Sequence, residues 1–407
     1  MTIETTASSA AHLSAPSTSR GAARPLVEHL REGVPFGLVA GGQGGEWLDP
    51  LARLVRDFAL ESEVAALVQG ADRLLAPVAS ELLRTGVDVD VLGWLDAVST
   101  AESADVDTEV PDADLLTAPA ASVPGILLTQ LAGLSALRAQ GVDVSRAVGV
   151  AGHSQGRLLE AALDGVDPVE LYAAARLVGA AAQVVGRRTG LLGRTMLSVS
   201  GVAPERVEAA LVDLPASARV VTHLRNGRRS VVLSGPEAGL RLAEGLLDDA
   251  AAAEKAQRER KLTGGAAFAP VVEPVAAQLA FHHPDLAAAA DLAAEWAATA
   301  GLDAALVHRL ATESVVAPVD WVAQVESVLD AGAQWLLDVG PSDLAAKLSA
   351  AEARPRGVTI VSPTTRRGHR ELTTPGAMPR RSRAWSAFAP KAVALPDGTT
   401  RLETRFT

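Results

Sequence analysis

The sequence predicts an α/β protein with a parallel sheet at its core and a smaller α+β unit inserted into it. Short apolar runs typical of buried strands alternate with longer segments of helical periodicity, a pattern that favours a parallel sheet. Between residues 196 and 261 the pattern changes to β-α-β-β-α, the order of a ferredoxin-like unit, and α/β signals resume afterwards. With 407 residues, of which 48% are hydrophobic, the chain can bury a large apolar core.

The first part of the core is predicted to begin near residue 25. Residues 1–24 are rich in Ser, Thr and Ala and are expected to be a disordered lead. Residues 34–40 form an apolar run typical of a buried strand, residues 48–92 have helical spacing, and residues 123–140 predict an apolar-faced helix. This part of the core, residues 25–195, therefore starts with a strand followed by helices.

The remaining elements follow the same reasoning. A helix is predicted at 168–188, and strands at 275–281 and 335–339, so that residues 262–353 complete the core. From residue 354 to 407 the chain becomes basic and rich in Pro and Thr, which predicts an extended linker segment.

Composition excludes several classes of protein. The net charge of −11 argues against a general nucleic-acid binder. The absence of cysteine excludes disulfides, thiolate metal sites and a cysteine nucleophile, and it favours a reducing, cytoplasmic location. Neither a metal site nor a permanently bound cofactor is predicted. We find no uninterrupted apolar run of membrane-spanning length, so no membrane association is expected.

The most informative motif is Gly152-His153-Ser154-Gln155-Gly156. It follows an apolar strand and precedes a segment of residues with high helix propensity, which is the context of a Gly-x-Ser-x-Gly nucleophile elbow. Such a turn exposes the serine hydroxyl and directs the next backbone N–H at the same point, where it can bind an oxyanion. Ser154 is therefore the candidate nucleophile for acyl transfer, and Gln155 a candidate oxyanion donor.

A general base is predicted at the end of another strand. His282 and His283 follow the predicted strand and precede Pro284, where loops at the carboxyl ends of parallel strands converge. One of the two is expected to be the base.

A glycine-rich loop follows the first strand. Gly41-Gly42-Gln43-Gly44 offers a second oxyanion N–H, from Gln43. Neither common phosphate-loop pattern is present, which argues against a nucleotide site here.

Together these motifs resemble the acyl-CoA:acyl-carrier-protein transacylases, the malonyl/acetyl-transferase superfamily of fatty acid and polyketide synthases. The resemblance rests on GGQG, GHSQG and FHHP in this order and covers about residues 34–350. It is greatest for the N-terminal acetyltransferase region of actinobacterial type I fatty acid synthases. It implies an α/β-hydrolase-like core with an inserted ferredoxin-like subdomain, Ser154 as nucleophile and His282 as base, with Gln43 and Gln155 as oxyanion donors.

The resemblance also implies how the substrate is bound. His282 should be oriented by a backbone carbonyl near residues 314–316, and Asn226 should lie near the mouth of the site. The expected substrate-binding residues are Ala181, Asn226 and His153. Malonyl-specific members carry an arginine that would align near Ala181, where this chain has only small apolar residues. An unpaired malonyl carboxylate there would be costly, so the expected substrate is a short neutral acyl group, acetyl.

The expected activity is therefore transfer of acetyl from acetyl-CoA, through an acyl-serine, to the phosphopantetheine thiol of acyl carrier protein. Other domains of a multienzyme fatty acid synthase are expected partners. A cluster of cations could bind coenzyme A phosphates or an acidic carrier: Arg225, Arg228, Arg229, Arg258, Arg260 and Lys261.

Three alternatives remain open. One is a malonyl or palmitoyl transacylase of the same family, and another a non-enzymatic, structural domain of that type. The third is a serine hydrolase or thioesterase, which needs an acidic residue between nucleophile and histidine in chain order. The candidates for that acid are Asp164, Asp167, Asp213, Asp248 and Asp249.

Overall fold

The computed structural model describes residues 24–43, 46–103, 111–260, 267–375, 391–394 and 400–403. The expected disordered lead lies outside these residues except for Arg24, which forms ion pairs with Glu28 and Glu32.

Helices and strands alternate along the described chain. The helices are α1 (Leu26–Arg31), α2 (Leu48–Phe58), α3 (Glu61–Leu75), α4 (Ala79–Leu83), α5 (Val91–Ser103), α6 (Ala113–Thr117), α7 (Pro119–Ala139), α8 (Leu158–Leu163), α9 (Pro168–Thr189), α10 (Pro204–Ala210), α11 (Glu237–Glu259), α12 (Ala287–Thr299), α13 (Ala304–Ala311), α14 (Trp321–Asp330), α15 (Leu344–Ala353) and α16 (Arg366–Thr373). The strands are β1 (Phe36–Ala40), β2 (Val150–Gly152), β3 (Met196–Ser200), β4 (Val221–Gly227), β5 (Ser230–Ser234), β6 (Val271–Pro274), β7 (Val319–Asp320), β8 (Trp335–Asp338), β9 (Thr359–Val361), β10 (Lys391–Ala394) and β11 (Thr400–Glu403).

The main sheet is parallel, with strand order β2-β1-β8-β9. Its strand β1 is buried along its whole length because neighbouring strands pair with both of its edges and helices cover its faces. The carboxyl ends of β1, β2 and β8 meet at one edge of the sheet, which places the loops that follow them side by side. The predicted α/β core is thus confirmed.

The second sheet has the order β6-β3-β5-β4-β7 and is antiparallel except for the β4–β7 pair. Strands β3, β4 and β5 with helices α10 and α11 form the predicted ferredoxin-like unit. Strand β7 lies in the chain after this insertion and pairs with β4 through Leu224 and Val319. The pairing joins the inserted unit to the core.

The predicted strand at 275–281 is wrong. The strand instead occupies Val271–Pro274 and pairs with β3, so the second sheet extends beyond the predicted limit at residue 261. Residues 275–281 form a loop that is buried mainly from Leu279 to Phe281 and has a single bridge, Leu192 to Leu279. Their apolar side chains fill the core between helices, which explains why the run resembles a buried strand.

The predicted linker also starts too early. Residues 359–361 form the edge strand β9, paired in parallel with β8, and α16 follows it. Three residues of Thr-Ile-Val are enough to complete the sheet, although the basic surroundings conceal them in the sequence. The rest of the predicted linker lies outside the described residues, apart from the paired strands β10 and β11.

Helices α7 and α9 form the centre of the core. By length and composition both could cross a membrane, contrary to the expectation from the sequence. However, 94% of the apolar window of α7 and 83% of that of α9 are buried inside the protein. Their apolar surfaces are therefore explained by packing against each other and against α2, α3 and α12.

The close contact between α7 and α9 requires a glycine. A Cβ at Gly179 of α9 would collide with the carbonyl oxygen of Pro119, which belongs to the backbone of α7 and cannot move aside. We expect Gly179→Ala to lower the free energy of unfolding by about 1–3 kcal/mol in urea titrations. The matched control is Gly245→Ala in α11, where a Cβ meets nothing within 4 Å. That change should raise the free energy of unfolding by about 0.5–1 kcal/mol, and equal effects of the two variants would contradict the packing argument.

Candidate active site

Ser154 lies on a sharp turn between β2 and α8. Its φ of 54° is in the left-handed region, and the side chain is only 3% exposed. The flanking glycines are required by contacts: a Cβ at Gly152 would lie 2.5 Å from the carbonyl oxygen of Gly156, and one at Gly156 would collide with the carbonyl of Ala40. The two glycines of the Gly-x-Ser-x-Gly pattern are thus required because the turn packs closely on itself and on β1.

His282 is the histidine that reaches the serine. Its Nε2 lies 2.7 Å from Ser154 Oγ, and its Nδ1 lies 2.5 Å from the backbone carbonyl of Ala317. Because a carbonyl can only accept, Nδ1 carries the proton and Nε2 is free to accept the serine proton. The carbonyl that orients the ring belongs to Ala317, just beyond the expected residues 314–316. No carboxylate is bonded to the His282 ring among the described residues.

The backbone of His282 is held on both sides. Its φ is 62°, a strained value for a residue with a Cβ. Its N–H donates to the carbonyl of Val315 at 2.6 Å, and its own carbonyl accepts from Nδ1 of His223 at 2.9 Å. Val315 and Ala317 belong to or follow a π-helical turn, Thr312–Val316, which turns the two carbonyls toward the histidine.

The environment keeps His282 neutral. Complete burial lowers the pKa of its imidazole to about 3, against a weaker opposing effect of the hydrogen bond to Ala317. A neutral imidazole is the form that can remove a proton from a hydroxyl. The pair of Ser154 and His282 is therefore in a state ready for nucleophilic attack near neutral pH.

The glycine loop after β1 lies directly against the nucleophile turn. A Cβ at Gly42 would lie 2.8 Å from the Cβ of Ser154 and 3.1 Å from the backbone nitrogen of Gln155. Gln155 is the second residue of a 3₁₀ turn, a position whose N–H has no partner within the turn. The loop and the turn thus lie against each other beside Ser154, and the oxyanion roles of Gln43 and Gln155 stay predictions.

The side chains of these two glutamines fix the two loops to each other. Gln155 Nε2 donates to Gln43 Oε1 at 3.1 Å, and the hydroxyl of Ser122 donates to the same oxygen at 2.9 Å. Gln43 Nε2 in turn donates to the carbonyl of Thr117 at 2.9 Å. Because this network holds the two side chains against each other and against α6 and α7, the oxyanion role predicted for both residues is assigned to their backbone N–H groups.

A second set of contacts, which the sequence did not reveal, anchors the glycine loop from behind. Gln130 is fully buried in α7, and its Nε2 donates to the carbonyls of Gly41 and Gly340 at 2.6 and 3.3 Å. The N–H of Gly41 also donates to the carbonyl of Gly340 at 3.1 Å. The loop after β8 is held by Asp338, which accepts from the N–H groups of Gly340 and Ala346; burial raises the pKa of this carboxyl group to about 7.

The other predicted residues have different surroundings. His153 is buried, donates from Nε2 to Asn226 Oδ1 at 2.8 Å, and lies edge-on to Trp321. Asn226 thus contacts the residue before the nucleophile. His283, the alternative base, accepts from the N–H of Asp285 and donates to the carbonyl of Arg219, which makes it a cap of the following turn. Ala181 is fully buried in α9, which packs against the turn that follows His283.

Most of the predicted phosphate-binding cations have acidic or backbone partners. Arg225 pairs with Glu205, Arg228 with Glu326 and Glu352, and Arg258 with Glu254. Arg229 donates to the carbonyl of Gly201, and Lys261 lies outside the described residues. No group of three or more potential metal ligands occurs within the described ranges.

The fold is that of malonyl-CoA:acyl-carrier-protein transacylases. The enzyme from Coxiella burnetii aligns with a TM-score of 0.60 and 18% identity over 88% of this chain and 99% of that one. A malonyl-transacylase of a type II polyketide synthase, solved in complex with its acyl-carrier protein, aligns with a TM-score of 0.60 and 18% identity over 83% and 99%. The Mycobacterium tuberculosis enzyme gives 0.56 and 20% over 83% and 99%.

Sequence comparison adds one match. Residues 195–274 match the family described as the fatty acid synthase central AT domain. This segment contains the four consecutive strands β3 to β6, which belong to the inserted unit. No curated protein matches the sequence significantly.

The low pKa of His282 leads to a prediction about pH dependence. A histidine with an ordinary pKa of about 6.5 loses its function as a base below pH 6. Because the pKa of His282 is about 3, its neutral form persists through this range. We expect the rate of Ser154 acylation by p-nitrophenyl acetate, measured in single turnovers, to stay flat from pH 8 to pH 5. A sigmoidal fall centred near pH 6.5 would contradict the assignment.

His223 is expected to act as a positioning residue because it holds the strained backbone of His282. Its replacement by Leu leaves a buried carbonyl without a donor, a loss of about 1–3 kcal/mol. The single-turnover acylation rate of His223→Leu should fall about 10- to 100-fold with little change in KM. In His223→Asn the amide can still donate, and this control should recover most of the rate. Equal losses in both variants would mean that the ring matters for packing alone.

Proposed function

We propose that this chain is a serine-dependent acyltransferase that moves an acyl group from coenzyme A to the phosphopantetheine thiol of an acyl carrier protein. The observation that carries the proposal is the 2.7 Å contact between Ser154 Oγ and a neutral His282 whose other nitrogen is bound to a carbonyl. The transacylase fold and the match to a fatty acid synthase domain support it.

The first half-reaction forms the acyl-serine. His282 Nε2 removes the hydroxyl proton while Oγ attacks the thioester carbonyl, and the N–H groups of Gln43 and Gln155 stabilise the resulting oxyanion. Collapse breaks the carbon–sulfur bond, and the proton on His282 passes to the departing thiolate. Coenzyme A leaves as its thiol, and the acyl group remains on Ser154.

The second half-reaction repeats these steps with the carrier. His282 Nε2 takes the proton of the phosphopantetheine thiol, and the thiolate sulfur attacks the acyl-serine ester. The proton returns to Ser154 Oγ as the ester bond breaks. Burial of both Ser154 and His282 restricts water, which would otherwise hydrolyse the intermediate.

We propose a short neutral acyl group, acetyl, as the substrate. The buried residues of α9 around Ala181 are small and apolar apart from Gln183, and they include no cation. Arg176, the nearest arginine before Ala181 in this helix, is bound to Asp72 of α3. A malonyl carboxylate entering this region would lose its hydration without gaining an ionic partner.

The alternative with most support is a malonyl transacylase, because the solved structures with this fold carry that name. The serine hydrolase alternative is less favoured because a carbonyl occupies the position of its acidic residue. Of the candidate acids, Asp167 caps α9 and Asp164 ends α8, while Asp213, Asp248 and Asp249 lie in the inserted unit.

The proposed partners are acetyl-CoA, an acyl carrier protein and the other domains of a multienzyme fatty acid synthase. A related fold has been solved with its carrier protein bound, and the matching family is named for a fatty acid synthase domain. A chain without cysteine suits the reducing cytoplasm, which we propose as its location.

The acyl specificity can be tested directly. The protein is incubated with equal concentrations of acetyl-CoA and malonyl-CoA, and the modified Ser154 peptide is quantified by mass spectrometry. We expect acetyl loading to exceed malonyl loading by about 100-fold, since the unpaired carboxylate costs several kcal/mol.

Two outcomes would change the proposal. Equal loading would overturn the acetyl specificity, and an excess of malonyl loading would favour the malonyl alternative. Ser154→Ala should lose all loading while keeping the melting temperature of the wild type, and label retained by this variant would place the nucleophile elsewhere. Release of free acetate at the rate of transfer to a carrier thiol would favour the hydrolase.

A further inference from the structure

A second concave site lies between α2, α16 and the loop that follows β9. It is a cavity of about 510 Å³ and shares none of its lining residues with the Ser154 site. The side chains that matter for its chemistry are Arg53, Arg56, Phe58, Arg366, His369 and Arg370. Its volume falls within the range of small-molecule binding pockets.

The cavity carries an excess of positive charge. Four of its lining residues are arginines, whereas Asp57 is its single acidic residue and lies 3.6 Å from Arg56. Arg366 and Arg370 are one turn apart in α16, where like charges destabilise a helix. Within the described ranges neither Arg366 nor Arg370 forms an ion pair.

Arg53 is the cavity arginine whose charge is least well compensated. Its guanidinium is half-buried and donates to the backbone carbonyl of Thr364, which supplies no negative charge. Burial and the nearby Arg366 lower the pKa of Arg53. His369 lies beside these arginines with its Nδ1 buried and unpaired among the described residues, and its ring is edge-on to Phe58. An anion in the cavity would relieve this repulsion.

The contrast with Arg367 is informative. Arg367 lies between the two unpaired arginines in sequence, but it does not line the cavity and bonds to Glu371 at 2.8 Å. The arginines of the inserted unit are also mostly paired with glutamates. Among the described residues, Arg53, Arg366 and Arg370 of the cavity therefore lack an acidic partner, which does not apply to the arginines of this protein generally.

We propose that this cavity binds a small phosphate-bearing anion with at least two negative charges. Guanidinium groups bind phosphate oxygens through paired N–H donors, and several of them around one concave site suit a diphosphate better than a single carboxylate. Their convergence on a cavity favours a small molecule over an acidic protein surface, which would need cations spread over an exposed face.

Isothermal titration calorimetry on the full chain tests this site with inorganic pyrophosphate, ADP and adenosine. If the diphosphate is recognised, pyrophosphate and ADP bind with one-to-one stoichiometry and adenosine does not. Tighter binding of ADP than of pyrophosphate would assign a nucleotide, and equal binding a free diphosphate. We expect Arg366→Gln combined with Arg370→Gln to weaken binding about tenfold or more.

The matched control is Arg367→Gln, which removes the same charge from the same helix outside the cavity and should change affinity less than twofold. Equal weakening by this control, absence of saturable binding, or binding only of acidic peptides would overturn the proposal. Ser154→Ala should bind pyrophosphate like the wild type, so the result is independent of the acyltransferase activity. Circular dichroism spectra confirm that each variant is folded.

Discussion

The close approach of two backbone segments, the glycine loop after β1 and the serine turn after β2, is the constraint on which the site depends. Gly42 lies so near the turn that a Cβ would come within 3 Å of both the carbonyl of His153 and the Cβ of Ser154. Gly156 lies equally close to Ala40. Because the two strands are parallel neighbours, the loops that follow them leave the same edge of the sheet and can approach this closely where glycine replaces a side chain.

His282 lies on a different segment from the two loops, and hydrogen bonds to carbonyls hold it in place. His282 comes from a buried loop, and carbonyls of the π-helical turn hold both its ring and its backbone. A carbonyl can fix the tautomer of an imidazole without adding charge, so the ring stays neutral in an environment where a buried carboxylate would be costly. His223 reaches from the inserted unit to the carbonyl of His282, so the two sheets jointly shape the base.

Charge is distributed unequally over the molecule. The surroundings of Ser154 and α9 contain buried amides, neutral imidazoles and small apolar side chains, which suits an uncharged acyl group. Cations are concentrated elsewhere: four arginines line the cavity between α2 and α16, and among the described residues Arg366 and Arg370 form no ion pair. One chain thus holds a neutral reaction site and a separate cationic pocket.

The sequence by itself determined the positions at which a close backbone contact allows only one type of residue. The elbow glycines, Ser154 and the glycine loop are each recorded in a local motif, because a tight turn leaves no choice of residue at those positions. The α/β core and the inserted unit followed from periodicity for the same local reason. The tertiary structure decided what depends on contacts between distant segments: the carbonyl of Ala317, the anchors Gln130 and His223, and the edge strand β9. Residues 275–281 show the limit most clearly, since a buried apolar run has the same pattern in a loop as in a strand, and only its neighbours distinguish the two.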